Sequence, residues 1–300
     1  MKRVLVTGAS GFIGRHSLRF LVEQGYEVHA VARGAVPPTD LVTAHSCDLL
    51  DDRATAALIR AVRPTHLLHF AWYAIPGKFW TAPENLDWAA ASLRLLRTFA
   101  DSGGRRAVCA GSCAEYDWSE PLLSETTTKL APRTLYGTAK NAVRSCLEHA
   151  AATLGLDWAW GRVFFLYGPH EAPGRLVSDV VAALVAGNRI AVSAGLQQRD
   201  FLHVEDVARS FVTVLDSDLQ GALNIAAGRT VAVRDVVERI GALTGRAELI
   251  DIGGRAAPPH DPAALAAGID RLTTLGFTPR YDLTAGLAQT VEWWRSRAGA

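Results

Sequence analysis

Near the start of the chain stands RVLVTGASGFIGR, residues 3–15, and this stretch decides the fold. The apolar run RVLVT (3–7) predicts a buried strand. The residues that follow have the amphipathic spacing of a helix over 13–24, and Gly25 supplies a natural helix end. A strand, a glycine-rich turn and a helix in this order are typical of a fold that binds a nucleotide phosphate at the turn.

The turn carries Gly8, Gly11 and Gly14 at a spacing of three. One glycine permits the sharp turn, another lets backbone N–H groups approach a pyrophosphate, and the third lets the helix pack closely on the strand. Glycine patterns alone are weak signals, but the strand before and the helix after supply the confirming context. We therefore expect a dinucleotide at this loop.

The same alternation of strand and helix continues through the first two-thirds of the chain. Further strands are predicted at 27–33, 65–70, 105–112 and 156–165, with another ahead of Asp48, and helices at 51–63, 84–102 and 134–154. Alternation of this kind favours a parallel, doubly wound α/β sheet of the Rossmann type, covered by helices on both faces.

The rhythm changes after Gly168-Pro169. The remainder predicts helices near 175–186, 205–216, 233–243 and 284–297, a strand at 223–227 and a loop at 253–262. We expect a dinucleotide-binding domain over 1–165 and a smaller, mixed α/β substrate domain over 166–300.

The composition narrows the possible partners. The 300 residues carry a net charge of +1 and no long basic run, which argues against nucleic acid or an anionic membrane as the main partner. No window predicts a signal peptide or a transmembrane helix, so we expect a soluble, cytoplasmic protein. The four cysteines form no CxxC motif. Cys109 and Cys113 would lie about 13 Å apart on one strand, so we predict reduced thiols and no metal site.

The second predicted strand lacks an expected acidic residue. An Asp or Glu about 20 residues after the glycine loop usually binds the adenosine ribose 2′-hydroxyl. Here Arg33 stands at that place, and no acid occurs from Val28 to Pro38. A guanidinium can pair with a 2′-phosphate that a carboxylate would repel, which favours NADP(H) over NAD(H), although Arg33 could also be a solvated strand end. Asp48 is placed to contact the adenine.

A tyrosine and a lysine stand four apart in LYGTAK, residues 135–140. On a helix, Tyr136 and Lys140 share one face, a pairing that is common and uninformative alone. Ser112 makes the pair of Tyr136 and Lys140 more significant. This serine ends a strand, and ligands of doubly wound sheets bind beyond the carboxyl ends of strands. We expect the ammonium to lower the pKa of the phenol for acid–base catalysis and Ser112 to hydrogen-bond the same substrate oxygen.

With these motifs, the chain resembles the extended short-chain dehydrogenases/reductases of the NAD(P)-dependent epimerase/dehydratase family, which modify nucleotide sugars. The resemblance runs from Lys2 to Trp294 and rests on TGASGFIG (7–14), CDL (47–49), HFA (69–71), YGTAK (136–140), RVFFLYGP (162–169), RDFLHVEDVA (199–208), NIAAG (224–228) and LGFTPRYDLTAGLAQTVEWW (275–294).

The resemblance implies roles for particular residues. Ser112, Tyr136 and Lys140 become the catalytic triad, and Lys140 also holds the nicotinamide ribose. Cofactor contacts are implied at Gly8, Ser10, Gly11, Phe12, Ile13, Gly14, Asp48, Leu49, Phe70 and Ala71. Arg199 would contact the substrate diphosphate, part of 201–230 would return to the first domain, and helices 84–102 and 134–154 would form a homodimer interface.

Several positions depart from the family pattern. Cys113-Ala114 follow Ser112 where the family's dehydratases carry an acidic residue, which disfavours dehydration. Phe165 replaces an asparagine that often touches the diphosphate. Trp72, in the aromatic loop 71–80, could stack on a sugar or pack internally, and Lys78 could meet a phosphate or be solvated. Further expected substrate contacts are Cys113, Glu115 and Arg175.

Three functions remain open from the sequence. The first is NADPH-dependent reduction of a keto group on a nucleotide-linked deoxysugar. The second is epimerisation of a nucleotide sugar with a retained NAD(P)⁺. The third is a non-catalytic NADP-sensing module, which the intact serine, tyrosine and lysine set disfavours.

Overall fold

A parallel sheet of seven strands forms the centre of the computed structural model, which describes residues 2–34, 41–257 and 261–298. Its strands are β1 (Arg3–Thr7), β2 (Glu27–Ala32), β3 (Val42–Ser46), β4 (His66–His69), β5 (Arg106–Ser112), β7 (Asp157–Val163) and β12 (Gly221–Ile225). The order across the sheet is β3-β2-β1-β4-β5-β7-β12, and every neighbouring pair is parallel. The predicted Rossmann-type doubly wound sheet is confirmed.

Helices cover both faces of this sheet. Helices α1 (Phe12–Glu23) and α6 (Val204–Leu215) pack on one face, while α2 (Asp52–Val62), α3 (Glu84–Asp101) and α4 (Leu135–Leu154) cover the other. Side chains of β1 alternate between the two cores, with Val4 and Val6 in the first and Leu5 in the second. The order reverses between β1 and β4, and this reversal opens a crevice at the carboxyl edge of the sheet.

The rest of the chain forms a smaller helical layer with short strands. Helices α5 (Leu176–Val185), α7 (Val233–Thr244) and α9 (Leu283–Ala298) pack on one another around their own apolar cluster, and α8 (Asp270–Thr273) is a single turn. The short strands are β6 (Leu122–Leu123), β8 (Phe165–Tyr167), β9 (Ile190–Val192), β10 (Gln198–Arg199), β11 (Phe201–His203), β13 (Val231–Ala232), β14 (Ile250–Ile252) and β15 (Ala264–Ala267). They form one four-stranded sheet and two strand pairs.

The chain passes between the two layers more than once. β12 lies at the edge of the large sheet, where it pairs with β7, although it follows α5 in sequence. β6, by contrast, precedes α4 yet pairs with β15 in the smaller sheet. The division into domains at residue 165 stays a prediction.

Within the described ranges, no helix combines the length and the apolar character needed to cross a membrane.

Candidate active site

The glycine loop brings β1, α1 and the end of β4 into backbone contact. Gly8 has φ +68°, and a Cβ there would lie 2.8 Å from the backbone nitrogen of Ala71. A Cβ on Gly14 would lie 2.2 Å from the carbonyl oxygen of Gly8. These approaches require glycine, as the sequence predicts.

The start of α1 is free to bind an anion. Helix α1 begins after Gly11, which has no side chain to cap it, and its first turn carries no acidic residue. The N–H groups of this turn therefore lack the carboxylate or hydroxyl that caps other helices here, such as Asp51 at α2 and Thr134 at α4. The charge of this helix end suits a dinucleotide pyrophosphate, which would accept hydrogen bonds from these N–H groups.

A buried hydrogen-bond chain fixes the floor beneath the loop. The Nδ1 of His69 lies 2.7 Å from the hydroxyl of Thr7, and its Nε2 lies 2.9 Å from the hydroxyl of Ser92. Ser92 in turn donates to the carbonyl of Trp88. Burial lowers the pKa of His69 to about 3, so the imidazole is neutral and joins the ends of β1 and β4 to α3.

The expected adenosine contacts lie around the ends of β2 and β3. Arg33 follows the last residue of β2 and is exposed, and among the described residues it has no hydrogen-bond or ion-pair partner. The Asp48 carboxylate accepts a hydrogen bond from the N–H of Leu50. Of the other expected cofactor contacts, Ser10, Phe12, Ile13 and Phe70 are partly exposed around the crevice, whereas Leu49 and Ala71 are buried.

Ser112 and Tyr136 meet at the carboxyl edge of the sheet. Thr134 caps α4 through a hydrogen bond from the N–H of Gly137, and Tyr136 follows in the first turn. A Cβ on Gly137 would lie 2.3 Å from the carbonyl oxygen of Ala114, so this glycine lets α4 approach the turn after Ser112. The Ser112 hydroxyl lies close enough to the Tyr136 phenol to lower its pKa.

The prediction that Lys140 lowers the pKa of Tyr136 does not hold in this structure. Burial is the largest influence and raises the pKa of the Tyr136 phenol, and the nearby Ser112 hydroxyl only partly opposes this. Lys140 is not among the main influences on this pKa: its Nζ donates to the carbonyl of Ala110 at 2.8 Å and stands 3.8 Å from the centre of the Trp72 ring. The phenol is therefore held in its protonated form.

Lys140 is buried rather than directed into water, with only 4% of its surface exposed. Burial lowers the pKa of its ammonium to about 7, while the charge of Glu115 opposes that change. Ser112, Tyr136 and Lys140 therefore lie together around the crevice, although the lysine contacts Trp72 and not the phenol.

Glu115, expected as a substrate contact, is instead a fully buried structural group. Its carboxylate accepts hydrogen bonds from the N–H of Ser112, the indole of Trp160 and the guanidinium of Arg162, at 2.8, 2.8 and 2.9 Å. Arg162 also donates to the hydroxyl of Tyr116. With both oxygens occupied, Glu115 holds the backbone of Ser112 and does not reach the crevice.

The other expected substrate contacts are dispersed. One face of the Trp72 ring lies against Lys140, but the residue is partly exposed, so stacking of a sugar on Trp72 stays a prediction. Lys78 is exposed on the loop before α3, and the thiol of Cys113 is buried, with its pKa raised to about 12 by burial. Arg175, just before α5, lies 5.1 Å from the Phe79 ring and lowers the pKa of Tyr136.

Arg199 does not offer a free guanidinium to a diphosphate. It is buried, ion-paired with Asp261, bonded to the carbonyl of Gln198 and 5.3 Å from the Phe165 ring. A substrate phosphate would have to replace Asp261 or share Arg199 with it. Phe165 occupies the space beside the arginine.

Aromatic residues enclose Tyr136 in a way that the sequence did not reveal. Phe79, Trp80 and Trp72 lie 4.8, 5.9 and 6.5 Å from its ring, in edge-to-face arrangements. Trp80 also contacts Trp118 edge to face. The aromatic run 71–80 was a usable signal, but the contacts depend on the path of the loop.

A Rossmann sheet with a glycine loop, and with a serine, a tyrosine and a lysine at its carboxyl edge, defines a class of NAD(P)-dependent oxidoreductases and epimerases, the extended short-chain dehydrogenases/reductases. A sequence model described as the NAD dependent epimerase/dehydratase family matches residues 4–226. The chain belongs to this family.

Characterised relatives span the length of the chain. It is 26% identical to a UDP-glucose 4-epimerase of Halalkalibacterium halodurans, over 93% of this chain and 91% of the relative. It is also 26% identical to a dTDP-4-dehydro-6-deoxy-D-allose reductase of Streptomyces bikiniensis, over 98% and 96%. The crystal structure of the Thermus thermophilus UDP-glucose 4-epimerase in complex with NAD superposes with a TM-score of 0.87, at 26% identity, over 98% of this chain and 99% of that one.

Proposed function

We propose that this protein reduces a keto group on a nucleotide-linked sugar, with NADP(H) as the hydride donor. The observation that supports this most is that Ser112 and Tyr136 lie together at the carboxyl edge of the sheet, where burial keeps the phenol protonated. A protonated phenol is the form that donates a proton to a carbonyl oxygen as charge develops there.

The chemistry of the reduction divides between cofactor and protein. When bound, the reduced nicotinamide supplies a hydride to the carbonyl carbon. Tyr136 transfers its phenolic proton to the carbonyl oxygen, so that the C=O group becomes CH–OH. Ser112 donates a hydrogen bond to the same oxygen and stabilises its developing negative charge. With the cofactor bound, the ammonium of Lys140 would hold the nicotinamide ribose and, through that contact, would stabilise the phenolate that remains.

The preference for NADP(H) over NAD(H) rests on Arg33. Its exposed guanidinium stands at the end of β2, where an acidic residue would bind an unphosphorylated ribose. A cationic fork at this place pairs with a 2′-phosphate.

The nucleotide-sugar substrate is proposed from the relatives and from the charge of the site. The relatives act on UDP- and dTDP-linked sugars. Arg175 lies near enough to Tyr136 to lower its pKa and would meet one phosphate of such a molecule, whereas Arg199 would meet a phosphate only by sharing or leaving its ion pair with Asp261.

Epimerisation is the second candidate, because 4-epimerases are among the similar sequences and structures. An epimerase oxidises one carbon and then reduces it from the other face, so it consumes no cofactor. The same three residues would serve both directions, with Tyr136 alternately accepting and donating the proton.

We further propose a homodimer through α3 and α4, which pack on each other on one face of the sheet. Leu86 on α3 is 60% exposed, and Cys146 on α4 is also exposed. Sedimentation velocity of the purified protein tests this arrangement: a species of twice the chain mass is expected, and a monomer at micromolar concentration contradicts it.

The reaction is tested with a panel of UDP- and dTDP-linked 4-keto-6-deoxysugars and 4-hydroxy sugars, by following the loss of NADPH absorbance. We expect stoichiometric loss of NADPH with at least one keto-sugar, and slower loss with NADH. Interconversion of 4-hydroxy sugars without loss of NADPH would replace the reductase by the epimerase. No conversion of any member by either route would contradict both.

A further inference from the structure

Trp72 and the catalytic lysine form a contact that neither the sequence motifs nor the relatives assign. The Lys140 ammonium stands 3.8 Å from the centre of the Trp72 ring. At this distance the negative face of the indole attracts a cation, most strongly where water is excluded. Lys140 is almost fully buried, so the ring replaces part of the hydration that the ammonium loses.

The indole of Trp72 is itself held by a hydrogen bond to α3. Its Nε1 donates to the side-chain oxygen of Asn85 at 2.9 Å. The Asn85 amide donates to the carbonyls of Phe79 and Ala82, at 2.7 and 2.8 Å, and the residue is fully buried. Every polar group of this amide is therefore occupied, and it ties the Nε1 edge of the Trp72 ring to α3.

The remaining groups around Lys140 do not provide a second anchor for its charge. From β5, the carbonyl of Ala110 accepts one hydrogen bond, and the Cys109 thiol is neutral because burial raises its pKa to about 12. From β4, His69 is neutral.

The charge of Glu115 favours the ammonium but is shared with Arg162. Tyr136, on the same helix, is held protonated.

We propose that Trp72 is a positioning residue of the catalytic site: its indole face, fixed by Asn85, holds the Lys140 ammonium at the carboxyl end of β5. This inference rests on the proposed function for its catalytic consequence, because Lys140 is the group through which Trp72 acts. The cation–π contact itself is a property of the protein without substrate and can be measured there.

The direct test is the titration of Lys140 in the full-length protein. The chain has four lysines, at 2, 78, 129 and 140, so NMR of protein labelled with ¹³C at the lysine ε-carbon gives few signals, and Lys140→Met assigns the one of interest. We expect Trp72→Leu to lower the pKa of Lys140 by about one unit or more, and Trp72→Phe to lower it by less, because phenylalanine keeps a weaker aromatic face.

Trp80→Leu is the matched control. Trp80 lies on the same loop and contacts Tyr136 at 5.9 Å, but no cation–π contact joins it to Lys140 among the described residues. It should leave the Lys140 titration unchanged, whatever it does to turnover. If Trp72→Leu and Trp72→Phe both leave the pKa of Lys140 unchanged or raise it, the proposal is overturned. Should the leucine variant not fold, the phenylalanine variant decides alone.

A second measurement separates this inference from the proposed function. The basic limb of the pH–rate profile for NADPH oxidation should move to lower pH in Trp72→Phe, in step with the Lys140 titration. If Lys140→Met keeps wild-type turnover, the proposed role of Lys140 fails even if the titration shifts as expected. If turnover needs Lys140 but neither Trp72 variant moves the limb or the titration, only the positioning role of Trp72 fails.

Discussion

At the scale of single residues, Tyr136 and Lys140 show how far a motif predicts geometry. The spacing of four residues places both on α4, near Ser112. It does not predict that Lys140 turns to Trp72 and the Ala110 carbonyl, since those groups come from β5 and from a loop more than sixty residues away. The consequence is a phenol whose pKa is raised by burial, which suits a proton donor.

Tyr136→Phe removes that donor and little else, because the ring and its aromatic neighbours remain. We expect kcat for keto-sugar reduction to fall by about 10²–10³-fold, in the range of general acid catalysis. NADPH affinity, measured by fluorescence titration, should stay within a factor of a few. Turnover close to that of the wild type would remove Tyr136 from the mechanism.

Arg33→Ala tests the cofactor preference. Loss of a charge-assisted pair with the 2′-phosphate should weaken NADP(H) binding by about 10–100-fold and leave NAD(H) binding nearly unchanged. Isothermal titration with both cofactors measures this directly. Arg189→Ala, an exposed arginine at the start of β9, serves as the control for lost surface charge. Equal NADP(H) affinity in Arg33→Ala and the parent would refute the assignment.

At the scale of elements, the first half of the chain follows its sequence pattern closely. The strand and helix periodicities predict β1, β5, α1 and α4 to within a residue or two, because each is long enough to show its period. Strands of two or three residues, such as β10 and β13, carry no such pattern and were missed. The turn after Ser112 was missed in a different way, because Glu115 folds back to cap its backbone.

Glu115→Gln probes that turn. The neutral amide keeps an acceptor for the Ser112 N–H but leaves the Arg162 guanidinium buried without a counter-charge. Breaking a buried pair in this way costs about 3–5 kcal/mol of unfolding free energy. Urea denaturation measures the loss. Turnover should also fall, because the Gln amide NH₂ faces the Arg162 guanidinium in place of a carboxylate oxygen and so disturbs the turn that positions Ser112.

The control for this change is Asp101→Asn, which removes an exposed ion pair with Arg97 on α3. Such surface pairs contribute about 0–1 kcal/mol. Similar losses in Glu115→Gln and Asp101→Asn would show that the buried pair has no special role.

At the scale of the whole molecule, the carboxyl edge of one sheet gathers residues from distant parts of the chain. The doubly wound order brings together Gly8, which directly follows β1, and His69, Ser112 and Tyr136, which come from β4, β5 and α4. The fold class therefore predicts the place of the site. It does not predict the substrate side, where Arg199 is paired with Asp261.

The buried imidazole of His69 makes the stability of the whole molecule depend on pH. Its pKa of about 3 in the folded state lies below the unfolded value, so at pH values between the two the folded state binds fewer protons than the unfolded state. Its stabilising effect is present above pH 6.5 and is lost between about pH 6.5 and 3. His69 alone should lower the unfolding free energy by about 2 kcal/mol between pH 7 and pH 5.

His69→Gln isolates this contribution from other groups, since Glu171 and Asp200, whose pKa values are raised to about 8 and 6, change stability in the opposite sense. Chemical denaturation of both proteins at several pH values gives the slope of unfolding free energy against pH for each. The wild type should show a steeper fall towards acid than His69→Gln, by about one proton between pH 4 and 6. Parallel curves would show that His69 is not held neutral.

The central claim is that Ser112 and Tyr136 act on a substrate oxygen beside a hydride donor. The most direct measurement uses NADPH carrying deuterium at the transferable position of the nicotinamide, a nucleotide-linked keto-sugar, and mass spectrometry of the product. The proposed function predicts a nucleotide-linked sugar in which the keto group has become a hydroxyl group and which is heavier by one deuterium, formed with one equivalent of NADP⁺. A converted sugar without deuterium, with NADPH unconsumed, would contradict it.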